Sequence, residues 1–389
     1  MLIGREVTVL GAGVAGLAVA RALALRGAAV TVLEQADTLT DIGAGLQITP
    51  NGARVLRSLG LGDSLSGAGL RAKAVQLLDG ETGSKVLRID LAELRPGQEY
   101  RFVHRADLIA LLADGAREAG VEIRLGQKIA EVALGGDKPR LVTEAGTEIR
   151  TGLLIGADGL HSRTRAALNG PVAPFFTHQV AWRATLPEKP GGDPEARVYM
   201  GPGRHLVTYP LRGGTLRNIV AVEERRNWVE ESWRLRDDPL ALRLAFENFV
   251  PEVRDWLARV DEPWLWGLFR HPVARRWHGQ GAVILGDAAH PTLPFLAQGA
   301  NMALEDAWVL SACLARHDEE AAGLAAYQLA REARVRRIVE AANANARNYH
   351  LTGMKRDIAH LGLRAIAALR PAAMLGRFDW LYGYDATAI

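Results

Sequence analysis

Residues 7–34, VTVLGAGVAGLAVARALALRGAAVTVLE, constrain the fold more than any other stretch of this chain. Residues 7–10 form a short, apolar, β-branched run, the pattern of a buried strand. Gly11, Gly13 and Gly16 follow at G-x-G-x-x-G spacing, and Ala and Leu then recur at helical spacing over 17–25, up to Gly27. Residues 29–33 read as a second strand, closed by Glu34. Each part has a physical job. Gly11 permits the tight turn, Gly13 lets the backbone approach a pyrophosphate, and Gly16 lets the helix pack close to the strand. The N–H groups of the helix's first turn face the phosphates. Glu34 stands where an acid accepts both ribose hydroxyls of an adenosine. The stretch therefore predicts a dinucleotide site. A secretory signal is the rival reading, from Arg5, the apolar centre and Ala-Leu-Ala at 22–24. The glycine spacing and the strand ending in Glu34 argue against it, and Arg21 leaves the apolar centre too short to span a membrane.

A chain of 389 residues suits two domains, or one large interrupted one. Its apolar fraction of 48% is enough for sizeable cores. The net charge is only +3 although Lys and Arg total 47, so most basic residues are balanced and nucleic-acid binding gains little support. The single cysteine, Cys313, excludes an internal disulfide and a multi-cysteine metal site. It lies in an apolar helical pattern and reads as a buried, inert thiol. No metal site is expected, and the setting read from this cysteine usage is reduced, soluble and cytoplasmic.

In GAGLQITPNG at 43–52, Gly43 and Gly45 allow close backbone approach to a ligand, and Pro50 and Asn51 suit a helix start. Residues 73–91 alternate loosely, as strands of a second sheet. HRADL at 104–108 leads an amphipathic helix to about 120. Arg105 at its start can reach a phosphate or cofactor linker, an exposed surface arginine being the alternative. Residues 121–134 read as strands and 140–151 as a hairpin around Gly146. LLIGADGLHSRTRAAL at 153–168 has the form of a second strand–loop–helix turn facing a ligand. Ser162 lacks a G-x-S-x-G elbow and reads as a cap, not a nucleophile. Residues 173–269 are richer in Trp, Tyr and Arg, with strands at 179–186, 196–200 and 206–211. They predict an antiparallel sheet, with one or two helices, inserted into the nucleotide-binding domain. Trp228, Trp233, Trp256, Trp264 and Trp266 read mostly as core or interface. A buried strand at 282–285 leads through Gly286 and Asp287 to a tight loop at 291–298 and a helix from near Gly299. The remaining chain is helical. Arg331, Arg334, Arg336 and Arg337 alternate with Val335, Ile338 and Val339, which predicts a solvated helix face.

Three motifs in this order resemble the single-component (group A) flavoprotein aromatic hydroxylases, over nearly the whole chain. They are GAGVAG with Glu34, GADGLHSRTR at 156–165, and LGDAAHPTLPFLAQGANMALEDA at 285–307. NARNYHLTG at 345–353 and FDWLYGYD at 378–385 are similar to the salicylate, 3-hydroxybenzoate and 6-hydroxynicotinate hydroxylase branch. The resemblance implies an α/β fold, α+β overall. A Rossmann-like FAD-binding domain would comprise 1–72, 101–172 and 270–315, and a substrate domain with a mostly antiparallel sheet would comprise 73–100 and 173–269. Helices would fill 316–389. It also implies bound FAD, NAD(P)H as co-substrate, and hydroxylation of a small aromatic, a phenolic acid, by O2 through a flavin C4a-hydroperoxide. The cofactor-binding set it implies is Gly11, Gly13, Ala15, Gly16, Glu34, Gln35, Gly45, Arg105, Asp158, Gly159, Asp287, Pro291, Gly299, Ala300 and Asn301. Glu34 would hold the adenosine ribose, Arg105 the ribityl-pyrophosphate region and Asp287 the ribityl chain. Asp158 and Gly159 would serve both FAD and the nicotinamide. Gly299, Ala300 and Asn301 would offer backbone N–H groups to the flavin pyrimidine edge, where a helix N-terminus favours an anionic reduced flavin. His290 is read as structural.

Such chemistry also asks for a base, because a phenolate is a better nucleophile than a phenol. In HLVTYPLRGG at 205–214, His205 and Tyr209 are four apart on a predicted strand and share a face. The resemblance matches His205 to the branch's catalytic histidine, which makes it the candidate base, with an ordinary half-buried strand histidine as the alternative. Tyr209 is placed with it as a catalytic candidate, and Tyr209, Gln47 and Pro294 would line the substrate pocket with it. Gln47 and Pro294 depart from the branch pattern, so the substrate need not be 3-hydroxybenzoate. Two other readings stay open. One is an FAD-dependent epoxidase, or a hydroxylase of a non-aromatic, polycyclic or quinone-pathway substrate; the other is a non-hydroxylating, flavin-binding redox sensor. The expected partners are a small aromatic substrate and O2, with no nucleic acid, no membrane, and a homodimer as an option.

Overall fold

A computed structural model describes residues 2–39, 44–225, 235–369 and 371–389; Gly43, Trp228 and Trp233 lie outside the described residues. The first apolar run becomes the strand Glu6–Leu10, buried from Val7 onward. It lies between Ala29–Leu33 and Leu153–Gly156, parallel to both. A parallel strand covered on both faces is apolar throughout, which is why this run does not alternate. Among the described residues the sheet has six strands, with Glu122–Arg124 at one edge and Ala282–Ile284 followed by His278–Gly279 at the other. The helix Val14–Ala24 packs against this sheet and against the helix Gly299–Arg316. The turn before Val14–Ala24 depends on glycine. Gly11 has φ 101°, and a Cβ at Gly16 would fall 1.9 Å from the Gly11 carbonyl oxygen.

A second, seven-stranded sheet runs Trp264–Arg270, Phe175–Pro187, Leu216–Glu224, Arg204–Leu211, Glu195–Gly201, Ala74–Asp79, Lys85–Asp90. Its neighbours pair antiparallel except Glu195–Gly201 with Ala74–Asp79. The alternation of a strand decides what faces the site. In Arg204–Leu211, Leu206 enters a core with Trp182, Tyr199, Phe246 and Trp256. His205, Val207 and Tyr209 point to the opposite face, which borders a cavity.

The helices Glu320–Asn348, Gly353–Leu369, Pro371–Gly376 and Asp379–Tyr382 complete the chain. They correct the expectation of a solvated arginine face. Arg331 is wholly buried and ion-paired with Glu305 and Asp306, and Arg334 pairs with Glu305. Only Arg336 and Arg337 of the four are exposed, the first beside Glu332 and the second over the Trp380 ring. The acids lie on Gly299–Arg316, inside the core, and a buried carboxylate needs a buried cation. No helix among the described residues is long and apolar enough to cross a membrane.

Candidate active site

A cavity of about 700 Å³ opens between the two sheets and is closed by the C-terminal helices. That is ample for a ligand of drug or cofactor size. One part of its wall is made by predicted cofactor residues, Gly13, Ala15, Gly45, Arg105, Gly159, Asp287, Pro291, Gly299 and Ala300. A second part is made by His205, Tyr209, Gln47 and Pro294, and the two parts touch: a Cβ on Gly45 would fall 2.6 Å from the Tyr209 ring. The two predicted sets therefore meet in one space.

The first part fits FAD. Nothing lies within 4 Å of the position a Cβ would take on Gly13, so the backbone there is open to a phosphate. The Glu34 carboxylate accepts the N–H of Ala12 at 2.7 Å and of Ala36 at 2.9 Å, which fixes it across the glycine turn. Arg105 begins the helix Arg105–Glu118, whose N-cap is His104. Asp287 opens onto the cavity lumen. The surrounding protein pushes its carboxyl up, while His290, Arg105 and His271 pull the other way. In the helix Gly299–Arg316, Met302 N–H bonds to Gln298 O at 2.7 Å. The N–H groups of Gly299, Ala300 and Asn301 come before it and have no intrahelical acceptor. Open space at one helix start, a carboxylate beside it and a second helix start on the same cavity suit a long, anionic dinucleotide.

Other predicted residues stand back from the lumen. Gly11 and Gly16 shape the turn, and Glu34 and Gln35 lie outside the cavity lining, with Gln35 exposed. Both Asp158 oxygens are engaged by its own loop: one accepts Ser162 Oγ–H at 2.5 Å, the other the Thr164 N–H at 3.2 Å and hydroxyl at 3.3 Å. Asp158 thus orders the loop that presents Gly159. Ser162 caps the helix Arg163–Asn169 by accepting the Arg165 N–H at 2.9 Å. The Asn301 side chain is a brace. It accepts the Thr49 N–H at 3.0 Å and donates to Gln47 O at 2.9 Å and Ala297 O at 2.7 Å.

Beneath this wall lies an ionic cluster that the sequence did not announce. Asp306 accepts from His290 Nε2 at 2.5 Å, Arg331 Nε at 2.8 Å and Gly286 N–H at 3.1 Å. Glu305 accepts from Asn51 and Arg334, both at 2.7 Å, and pairs with Arg331 at 2.6 Å. Burial alone would raise the Asp306 carboxyl, but His290 and Arg331 hold it down at about 2. Through Gly286 the cluster pins the turn that carries Asp287.

On the second part His205 and Tyr209 are buried, at 1% and 3% exposure. The Tyr209 ring stacks on Phe102 at 4.9 Å, and burial pushes its hydroxyl up to about 12. Gln47 accepts the Tyr100 hydroxyl at 2.6 Å. Pro294 opens the short turn Pro294–Leu296. Val75, Leu87, Ile89, Val198 and Val207 make much of the remaining wall apolar. Trp266, expected in core or interface, lines the cavity, with the Arg183 guanidinium 4.2 Å from its ring centre. The other described tryptophans of that segment stay away from it: Trp182 and Trp256 are in the core and Trp264 lies under Arg236. His205 Nδ1 lies 2.7 Å from His350 Nε2, and His350 Nδ1 lies 2.8 Å from Glu224 Oε1. Burial, then the neighbouring His350, lower the His205 pKa well below its ordinary value. His205 is therefore neutral at pH 7 and able to accept a proton.

Sequence reasoning missed Tyr100, Arg183, Tyr349, His350 and the C-terminal wall of Leu363, Met374 and Phe378. The 345–353 and 378–385 segments were visible as motifs, but their contacts with the second sheet are long-range and carry no local pattern.

The sequence matches the family described as FAD binding domain over residues 5–342. It is 37% identical over 353 residues to 3-amino-4-hydroxybenzoate 2-monooxygenase of Streptomyces cremeus, covering 89% of this chain and 88% of that protein. It is 33% identical to 3-hydroxybenzoate 6-hydroxylase of Polaromonas naphthalenivorans, covering 97% and 96%. Among solved structures, Klebsiella pneumoniae HpxO complexed with FAD and uric acid aligns with a TM-score of 0.85 at 25% identity, covering 97% of each chain.

Proposed function

The chain belongs to the FAD binding domain family, among its single-component aromatic hydroxylases, and on that premise we propose that its substrate is a small phenolic acid whose ring hydroxyl gives its proton to His205. It is an FAD-dependent monooxygenase that acts on a small aromatic, with NAD(P)H as the electron source. When bound, FAD supplies the passage of electrons from NAD(P)H to O2 and the delivery of one oxygen atom to the ring. The glycine turn, Glu34, Arg105, Asp287 and the start of Gly299–Arg316 would hold it.

One observation carries the reading of the substrate: a buried, neutral histidine lines the same cavity as the cofactor-side residues. His205 Nε2 has no hydrogen-bond partner among the described residues, so its lone pair is available to a ring hydroxyl. Removing that proton raises the electron density of the ring toward attack. The apolar wall of Val75, Leu87, Ile89, Val198 and Val207 docks the ring face and excludes water. Tyr209 and Gln47 offer polar contacts, and Arg183 on its Trp266 platform gives the wall a cation suited to a carboxylate. The named relatives act on 3-amino-4-hydroxybenzoate and 3-hydroxybenzoate, both ring-hydroxylated aromatic acids. A cytoplasmic setting, where NAD(P)H is supplied, suits the buried free thiol of Cys313.

The test is to add these acids, and others differing in hydroxyl position, to the FAD-loaded enzyme with NADH or NADPH. The expected result is substrate-stimulated NAD(P)H oxidation and a product heavier by one oxygen atom. Stimulation only by aromatics without an ionisable hydroxyl would overturn the phenolic reading.

A further inference from the structure

We propose that His350 and Glu224 form a proton exit from the cavity, carrying the phenol proton from His205 to the protein surface. The proposal rests on the reading of His205 as the base and adds the route by which that base is emptied.

The three groups come from elements that the fold brings together. His205 is on the strand Arg204–Leu211, directly opposite Val222 of Leu216–Glu224. Glu224 is two residues beyond Val222, on the same face of the sheet. His350 follows the helix Glu320–Asn348 and enters between them. The contacts are 2.7 Å from His205 Nδ1 to His350 Nε2 and 2.8 Å from His350 Nδ1 to Glu224 Oε1. Exposure rises along the chain. His205 is 1% exposed, the His350 side chain 2%, and the Glu224 side chain 54%.

The terminal carboxylate sets the tautomers of both rings. A carboxylate only accepts, so His350 Nδ1 carries a hydrogen and donates it to Glu224. His350 Nε2 is then an acceptor, so His205 Nδ1 carries a hydrogen and donates it there. This leaves the lone pair of His205 on Nε2, toward the cavity. One surface carboxylate thus aims a buried base two hydrogen bonds away.

The same chain moves charge. The phenol O–H breaks as Nε2–H forms on His205. The Nδ1–H of His205 passes to His350 Nε2, and the Nδ1–H of His350 passes to Glu224 Oε1, which releases it to water. One proton leaves, no electrons move, and both rings exchange tautomers; they reset when His205 Nε2–H is given to the ring oxygen of the product in the cavity while Glu224 passes a proton from water inward through His350. The relay spares a charge that the site is poorly built to hold. The rings around His205 are Phe295 at 5.5 Å, Tyr349 at 5.1 Å and His350, and none is anionic. Burial pushes the Tyr349 hydroxyl up to about 12, so it is no proton acceptor at neutral pH. Burial also lowers His350; Glu224 opposes this and the positive charge of Arg204 adds to it. A proton is therefore not retained midway.

The experiment mixes FAD-loaded enzyme with 3-amino-4-hydroxybenzoate or 3-hydroxybenzoate in weak buffer with a pH-indicator dye. Binding is followed separately by the change in flavin absorbance. Wild type is expected to release up to one proton per bound ligand. Glu224→Gln keeps an oxygen to accept from His350 but cannot take a proton, and His350→Gln breaks the chain inside. Both should bind the ligand, yet release the proton about tenfold more slowly or worse, His350→Gln the more severely. In turnover kcat should fall while KM holds. Proton release at the wild-type rate in both variants would overturn the relay, as would a loss confined to binding. If no phenolic acid perturbs the flavin of wild type, the substrate reading itself fails and the relay falls with it.

Discussion

Two histidine–carboxylate pairs in this molecule have similar chemistry and opposite surroundings. His290 meets Asp306 at 2.5 Å with side-chain exposures of 1% and 0%, and Arg331 lies against the same carboxylate. His350 meets Glu224 at 2.8 Å, and there the carboxylate is more than half exposed. In the first pair every charge is matched by a neighbour and enclosed, so the group can hold the Gly286–Asp287 turn in place but has no route to solvent. In the second, one end reaches the cavity through His205 and the other reaches water. What distinguishes a brace from a conduit is what stands at its two ends.

The sharpest way to break this contrast is to remove one member of each set. Arg331→Ala leaves Glu305 and Asp306 buried without their shared cation and should cost about 3–5 kcal/mol in urea unfolding. Glu224→Gln, at a solvent-facing carboxylate, should stay within about 0.5 kcal/mol of wild type. Equal losses would show that both groups are structural. Acid should find the brace as well. The Asp306 carboxyl sits at about 2 when folded, below its unfolded value, so the fold favours its charged form. That contribution is complete above about pH 4 and is lost as pH falls toward 2. In thermal melts, Asp306→Asn should lack that part of the acid sensitivity.

A third carboxylate sharpens the contrast further. Glu34 is neither sealed by cations nor linked to a base; backbone N–H groups aim it at the glycine turn. Glu34→Ala should weaken FAD retention by about 1.5–3 kcal/mol, the worth of a charge-assisted hydrogen bond. Fluorescence of flavin released on dilution measures it, and unchanged retention would remove Glu34 from the cofactor site. Tyr209→Phe should have the smallest effect. It removes one hydroxyl from the substrate wall and should raise KM by the equivalent of about 0.5–1.5 kcal/mol, with kcat largely kept. A collapse of kcat would mean that the hydroxyl takes part in proton transfer.

The contrast also explains what could be read from the residues in order. The glycine turn is complete within residues 7–34, because each of its jobs is done by a neighbour in sequence. The same holds for the strand and loop around Asp287 and for the shared face of His205 and Tyr209, which needs only strand alternation. The ionic cluster and the relay obey no such local rule. Arg331 shows the same alternation with apolar residues as the exposed Arg336 and Arg337, and only the acids on another helix decide that it is buried. His350 becomes legible when its ring meets a strand 145 residues away. The two sheets followed from pattern; the side chains that turn their meeting place into a site depend on tertiary contact.

The central claim is that His205 accepts the phenol proton, and the hydroxylation rate against pH, in wild type and His205→Ala, tests it most directly. Burial keeps His205 neutral to well below its ordinary value, so the acid limb of wild type should lie below pH 6.5. His205→Ala should be slower by about 100-fold or more near neutrality, the usual worth of a positioned base. It should recover toward pH 10, roughly where a phenol ionises unaided. Flavin content should match wild type. Equal rates for the two proteins across the whole range would contradict the account.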